Sequence, residues 1–148
     1  VATDHAPHTY DEKMSAYTKA PSGGPLVQHS LVAMMEMAHN GIFTPEMVVE
    51  KMCHNPARLF QVNRRGFIRE GFYADLVLID PEQTWEVNKE NILYKCGWSP
   101  FEGQKFHSAV THTWVNGYLV HEEGKVHEMA AGIALEFNRD HHNENSIC

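Results

Sequence analysis

The sequence predicts an α/β chain in which a loop-and-helix segment, residues 1–65, leads into a β-rich segment, residues 66–139, and a polar, flexible tail, residues 140–148. Three observations predict it. Residues 1–25 are dense in His, Pro, Gly, Thr and Ser after an apolar start, the composition of a long loop. Residues 26–60 carry apolar positions at helical spacing, punctuated by cap and proline signals. From Gly66 onward, short apolar runs alternate with turn signals. A strand, a long loop, helices and then a small sheet is the order of elements expected at the end of a parallel barrel with an appended β-domain.

Val1-Ala2-Thr3 has the character of a strand end, and without an initiator Met or a polar leader the chain is expected to be a piece of a longer one. The loop that follows is long, and long loops in compact domains are usually functional. Leu26, Val27, Leu31, Met34, Met35 and Ala38 then fall on one helical face, with Gly41 placed to end the helix. A methionine stripe of this kind is far more often core than a cofactor site.

Thr44-Pro45-Glu46 supplies an N-cap, a first-turn proline and an acid matched to the helix dipole, opening a second helix through about Met52. His54-Asn55-Pro56 is expected to break it, with Asn55 capping a third short helix over residues 56–60 and Arg58 facing outward. In the second segment, residues 74–79 form a buried-strand run closed by Asp80-Pro81. Residues 110–115 alternate and meet Asn116-Gly117, the strongest short hairpin signal because both central residues take positive φ. Residues 118–121 form the return strand, and Glu123-Gly124 the next turn.

Composition narrows the function classes. A hydrophobic content of 43% and a charged content of 21% are those of an ordinary globular domain. The net charge of −7 and the lack of a Lys/Arg stripe argue against nucleic acid as a partner. No apolar run approaches the roughly 20 residues needed to span a bilayer, so no membrane partner is expected. Cys53, Cys96 and Cys148 are odd in number and widely spaced, which fits reduced thiols in a cytoplasmic protein rather than a disulfide framework.

Chemistry concentrates at Thr3-Asp4-His5-Ala6-Pro7-His8. A carboxylate and two imidazoles within five residues, past a strand end and stiffened by Pro7, can converge on one small volume. In parallel barrels the C-terminal strand ends and the loops after them carry the active site. The plainer reading is a loop whose Asp caps a turn and whose histidines are solvated.

Residues 3–13 closely resemble the segment after the eighth strand in dihydroorotases of the amidohydrolase superfamily. The resemblance continues at Ala20-Pro21-Ser22-Gly23-Gly24, Asn55-Pro56-Ala57-Arg58, Gly71 with Ala74-Asp75-Leu76-Val77, Ser99-Pro100-Phe101-Glu102-Gly103 and Val115-Asn116-Gly117, leaving out only the tail. It implies the C-terminal part of a (β/α)8 TIM-barrel metal-dependent hydrolase plus a small β-sandwich, cytoplasmic and active in pyrimidine biosynthesis. The implied reaction is reversible cyclisation of N-carbamoyl-L-aspartate to dihydroorotate, with a homo-oligomer as the candidate assembly.

The resemblance also assigns roles. Asp4 matches the aspartate that touches one of two zinc ions and carries the proton between water and the leaving amide nitrogen. His8 matches the residue that hydrogen-bonds the substrate carboxylate, and Ser22 and Gly23 match the loop that holds the substrate ring. His5 is better read as a loop-packing histidine than as a ligand.

Two departures qualify the match. The family usually carries an aromatic residue where Ser22 stands and an acid where Gln28 stands. The His-x-His pair, the carboxylated lysine and two further histidines expected of the family are absent from this sequence. Because catalytic zinc takes about three protein ligands, the segment by itself is expected to be inactive. Readings that compete are a hydantoinase- or allantoinase-type cyclic amidohydrolase and a non-catalytic dihydroorotase-like scaffold.

The remaining conspicuous residues read as structural. Arg58 is expected to anchor its helix by an ion pair, and Trp98 with residues 99–103 to pack the β-segment against the rest. His107, His112, His121 and His127 are expected as solvated face residues. His141-His142 could bind metal only adventitiously.

Overall fold

The computed structural model describes residues 1–139; the tail, with His141, His142 and Cys148, lies outside the described residues. Residues 1–4 do not form the expected strand. A strand needs a hydrogen-bonded neighbour, and among the described residues the one pairing of this stretch is a single parallel bridge between His5 and Gly24.

Helix α1 (Tyr10–Lys13) is one turn held by a capping box. The Thr9 hydroxyl accepts from the Glu12 amide at 3.3 Å, and the Glu12 carboxylate accepts from the Thr9 amide at 2.8 Å. Helix α2 (Ser30–His39) follows a tight turn at Val27–His29, and Gly41 after it takes φ 72°.

Helix α3 (Pro45–Val49) starts as expected, with the Thr44 hydroxyl accepting from the Met47 amide at 3.3 Å. The break at His54-Asn55-Pro56 does not occur. A widened turn over Glu50–His54 carries the chain straight into α4 (Asn55–Leu59), and the Asn55 amide reaches back five residues to the Glu50 carbonyl. Pro56 has no N–H to offer and its ring would collide with the carbonyl four residues back, and the widened turn removes both problems without ending the helix. Asn55 therefore does not cap. Its side chain donates to Glu50 Oε1 at 3.1 Å and accepts from Arg58 at 3.4 Å. Arg58 faces outward and lies 5.1 Å over the Phe67 ring, with no ion pair among the described residues.

The β-rich segment forms two units. Strands β1 (Leu76–Asp80), β4 (Ala109–Val115), β5 (Tyr118–Glu122) and β6 (Lys125–Val126) make an antiparallel sheet in the order β1-β4-β5-β6. Strands β2 (Trp85–Glu86) and β3 (Lys105–Phe106) form a separate ribbon. The β4–β5 hairpin turns on Asn116 and Gly117, at φ 52° and 84°, as their sequence requires. Strand β1 is not buried as expected: it lies at the sheet edge, and Val77 and Leu78 stay exposed.

The core lies where α2 meets the ribbon. Val32, Val87 and Phe106 are buried together, flanked by Ala33, Trp85, Ile92, Phe101 and Val110. The Trp85 indole N–H donates to the Ser108 carbonyl at 2.9 Å, so the ring enters the core without an unpaired donor.

Arg65 joins the helices to the sheet. Its guanidinium pairs with Asp75, donates to Asn116 Oδ1 at 2.7 Å and lies 4.3 Å over the Tyr73 ring. Asp75 in turn accepts from the Asn116 amide at 2.8 Å, which pins the hairpin turn to the start of β1. Among the described residues, no helix is long and apolar enough to cross a membrane. Ile68, Leu59, Phe60 and Ile42 remain exposed.

Gly66 has no room for a side chain. It sits at φ 77°, and a Cβ there would fall 2.4 Å from the Ala57 Cβ and 2.8 Å from the Cys53 carbonyl oxygen. Gly66→Ala is expected to destabilise the fold by about 2–4 kcal/mol, the sum of overpacking and left-handed strain. Denaturant unfolding of the variant checks this, and a shift below about 0.5 kcal/mol would show that the close approach is absent.

Candidate active site

The candidate site is built from two arms of the opening loop. Ala6 donates its amide to the Gly24 carbonyl at 3.0 Å, beside the His5–Gly24 bridge. Gly23, at φ 85°, comes so close that a Cβ there would lie 2.6 Å from the Ala6 Cβ and 3.8 Å from the Asp4 carbonyl oxygen. Lys13 secures the second arm from below, its ammonium donating to the Pro21 carbonyl at 2.6 Å and the Gly23 carbonyl at 2.9 Å. The fold thus brings the segment of Asp4 and His8 alongside that of Ser22 and Gly23.

Asp4 occupies the left-handed region at φ 46° with its side chain exposed. Asp and Asn tolerate that conformation better than other non-glycine residues, and the hydrogen bonds just downstream hold it there. His8 is half-buried, and its Nδ1 lies 3.8 Å from a Glu12 carboxylate oxygen. The backbone and then the side chain of Thr9 hold the Glu12 carboxyl below its ordinary pKa by hydrogen bonding to the ionised form. His8 therefore neighbours a fixed anion while part of its ring still meets solvent.

His5 behaves as a packing residue. Its Nδ1 accepts from the Leu26 amide at 3.1 Å and the Val27 amide at 3.4 Å, and its ring centre lies 5.4 Å from that of Tyr94. Ser22 and Gly23 are exposed on the second arm.

His29 is a residue that sequence reasoning missed. It is fully buried, surrounded by Trp85, Tyr94, Phe101 and Phe106. Its Nδ1 meets the Ser99 hydroxyl at 3.2 Å and the Tyr94 hydroxyl at 3.4 Å, whereas Nε2 has no hydrogen-bond partner among the described residues. Burial pushes its pKa down, so the imidazole is held neutral. The available signal was spacing: His29, Val32 and Ala33 share one helical face, and an apolar count passes over a polar residue there.

The histidines of the β-segment are partly buried, and three of the four face carboxylates. His107 pairs with Glu36 at 3.0 Å and stacks on His39 with ring centres 4.5 Å apart. His112 and His127 flank Glu122 at 3.7 Å each. The cause is local: carboxylates on α2 and β5 face these rings, and half-buried imidazoles gain by pairing with them. Burial raises the Cys53 thiol pKa, the opposite of an activated nucleophile.

Among the described residues, no group of three or more His, Cys, Asp or Glu side chains could hold a metal ion. Asp4 can supply one carboxylate donor, and catalytic zinc takes about three protein ligands. These residues alone do not fit a complete metal centre.

Comparison with known proteins gives a consistent answer. The amidohydrolase family model matches residues 1–120. The chain is 44% identical over 103 residues to a dihydroorotase of Halobacterium salinarum, covering 70% of this chain and 24% of that protein. It is 39% identical over 122 residues to the Clostridioides difficile dihydroorotase, covering 82% and 28% respectively. A Thermococcus kodakarensis dihydroorotase is 33% identical over 142 residues, covering 96% of this chain and 34% of that protein. The chain thus spans 24–34% of the length of these relatives.

Among solved structures, a D-hydantoinase (dihydropyrimidinase) from Thermus sp. superposes with a TM-score of 0.77 at 22% identity, over 86% of this chain and 29% of that one. An L-hydantoinase from Arthrobacter aurescens does so with a TM-score of 0.68 at 31% identity, over 75% and 25%. The mixed α/β arrangement described above is therefore one that amidohydrolases contain.

His29 sets a pH dependence. Its folded pKa is depressed, so the unfolded chain takes up a proton that the folded chain refuses, and the stability it contributes is complete only above the ordinary histidine pKa of about 6.5. Stability is expected to fall as the pH drops from about 7 to 5, and His29→Phe to show a shallower acid slope. Thermal unfolding across that range checks this; equal slopes in the two proteins would remove His29 as a source.

Proposed function

Since the chain belongs to the amidohydrolase family, we propose that it supplies the C-terminal part of a dihydroorotase, which interconverts N-carbamoyl-L-aspartate and dihydroorotate in cytoplasmic pyrimidine biosynthesis. The observation that carries this reading is the side-by-side placement of the Asp4–His8 and Ser22-Gly23 arms, joined at the His5–Gly24 bridge. Identity with several dihydroorotases over most of the chain supports it. In this reading residues 1–65 end a (β/α)8 barrel, residues 66–139 contribute to a small β-sandwich, and the whole enzyme is a metal-dependent hydrolase that could assemble from identical subunits.

Asp4 is the proton carrier. In the hydrolytic direction water adds to the ring amide carbonyl while Asp4 accepts its proton; when the carbon–nitrogen bond breaks, Asp4 returns that proton to the leaving nitrogen. Ring closure follows the same path backwards. His8 donates an N–H to the carboxylate that both substrates carry, a charge-assisted contact. The exposed backbone at Ser22 and Gly23 faces the ring. Asp4 would contribute one donor to a metal such as zinc, which would acidify water and polarise the carbonyl.

The hydantoinase reading is favoured by the solved neighbours, which share the fold. His8 separates the two, because hydantoin rings need not carry the carboxylate that it serves. Turnover of dihydroorotate but not of hydantoin by the complete protein is the expected result, and the reverse preference would transfer the assignment. A non-catalytic scaffold would turn over neither.

Two substitutions test the roles. Asn tolerates the left-handed backbone at position 4, so Asp4→Asn removes the charge with little strain; kcat is expected to fall by about a thousandfold or more, with most of the metal retained. Near-normal kcat would take Asp4 out of the mechanism. His8→Ala is expected to raise KM by roughly 10- to 100-fold, the worth of a charge-assisted hydrogen bond, with a smaller change in kcat. Steady-state kinetics in both directions read this out, and an unchanged KM would remove the carboxylate contact.

A further inference from the structure

The segment between β2 and β3, residues 87–104, lies against the candidate site and is fastened to it at several points. Gln28 Nε2 donates to the Asn91 carbonyl at 2.8 Å, and its Oε1 accepts from the Leu93 amide at 2.9 Å. Its backbone amide donates to the Tyr94 hydroxyl at 2.8 Å. An ionised acid at position 28 could accept but not donate, so the glutamine found here suits a double anchorage that an acid could not make. Further along, the Tyr94 and Ser99 hydroxyls meet His29 inside the core.

Trp98 stands between those two anchors. Its indole N–H donates to the His8 carbonyl at 2.8 Å, across 90 positions of sequence. The far edge of the same ring lies 3.6 Å from where a Cβ on Gly24 would be, and Tyr10 meets it edge-on with ring centres 6.4 Å apart. One half-buried side chain therefore touches both arms of the site: the His8 backbone on one side and the residue after Gly23 on the other.

We infer that Trp98 is a positioning residue, whose indole N–H fixes the His8 backbone and whose ring sets the gap between His8 and the Ser22-Gly23 arm. This rests on the carboxylate-binding role of His8 given above. Trp98 touches no reacting atom; it acts through His8. Plain packing would need the ring and not its N–H, and the geometry uses both.

The test uses the full-length protein and Trp98→Phe, which keeps an aromatic ring and deletes the donor. A neutral hydrogen bond is worth about 0.5–1.5 kcal/mol, so KM for N-carbamoyl-L-aspartate is expected to rise roughly 2- to 12-fold with kcat within about twofold. In the His8→Ala background the same change is expected to add little to KM. An unchanged KM in Trp98→Phe, or full additivity with His8→Ala, overturns the proposal.

A second readout does not need turnover. Amide hydrogen exchange over residues 5–13 is expected to quicken severalfold in Trp98→Phe while the β4–β5 amides stay at wild-type rates. Equal exchange in the two proteins overturns the placement. If wild-type protein fails to process dihydroorotate, the functional reading falls, and the exchange result alone then decides whether Trp98 holds the loop.

Discussion

A neutral imidazole sealed among four aromatic rings is the constraint on which the rest of this structure depends. His29 opens α2, and the residues just before it hold the loop, since the Leu26 and Val27 amides both bind His5. On its other side His29 meets Tyr94 and Ser99, which fasten the segment between β2 and β3. A polar side chain in such a place is stable only while uncharged, and here the Ser99 and Tyr94 hydroxyls pair one of the two ring nitrogens. The same residue therefore couples helix, ribbon and site loop, and charging it would loosen all three.

The second junction works through charge that is satisfied rather than suppressed. Arg65 is nearly buried, a costly place for a guanidinium unless its donors are used. They are used: Asp75 and Asn116 take them, and Tyr73 lies beneath the planar group. Because Asp75 precedes β1 and Asn116 is the hairpin turn, one cation fixes the sheet to the end of the helical segment. The neighbouring Gly66 allows the chain to pass against α4 where no Cβ would fit.

What was legible in the sequence was local. Thr44-Pro45, Gly41 and Asn116-Gly117 specify a cap, a helix end and a turn through their own dihedral preferences, and each appears in its place. The loop carrying Asp4, His8, Ser22 and Gly23 was legible from its composition, but the single capped turn of α1 within it was not. Contacts between distant residues were not. Nothing in spacing pairs Trp98 with His8, or sets Glu122 between His112 and His127. The turn before Pro56 failed for a different reason: proline forbids one hydrogen bond, but a helix can widen by one residue instead of stopping. A strand at the start is a property of its neighbours, and residues 1–4 find no ladder among the described residues.

Asp4 shows how position and chemistry divide. Its left-handed backbone is a conformation that costs of order 1 kcal/mol or more and persists only where the surroundings over-determine it. Those surroundings are all in this chain: the Ala6–Gly24 hydrogen bond, the His5 acceptor for two amides, and the indole on His8. Among the described residues, no three-ligand cluster gives this carboxylate a cation to face. A carboxylate held in this way can accept and return a proton, but a carboxylate cannot by itself acidify water.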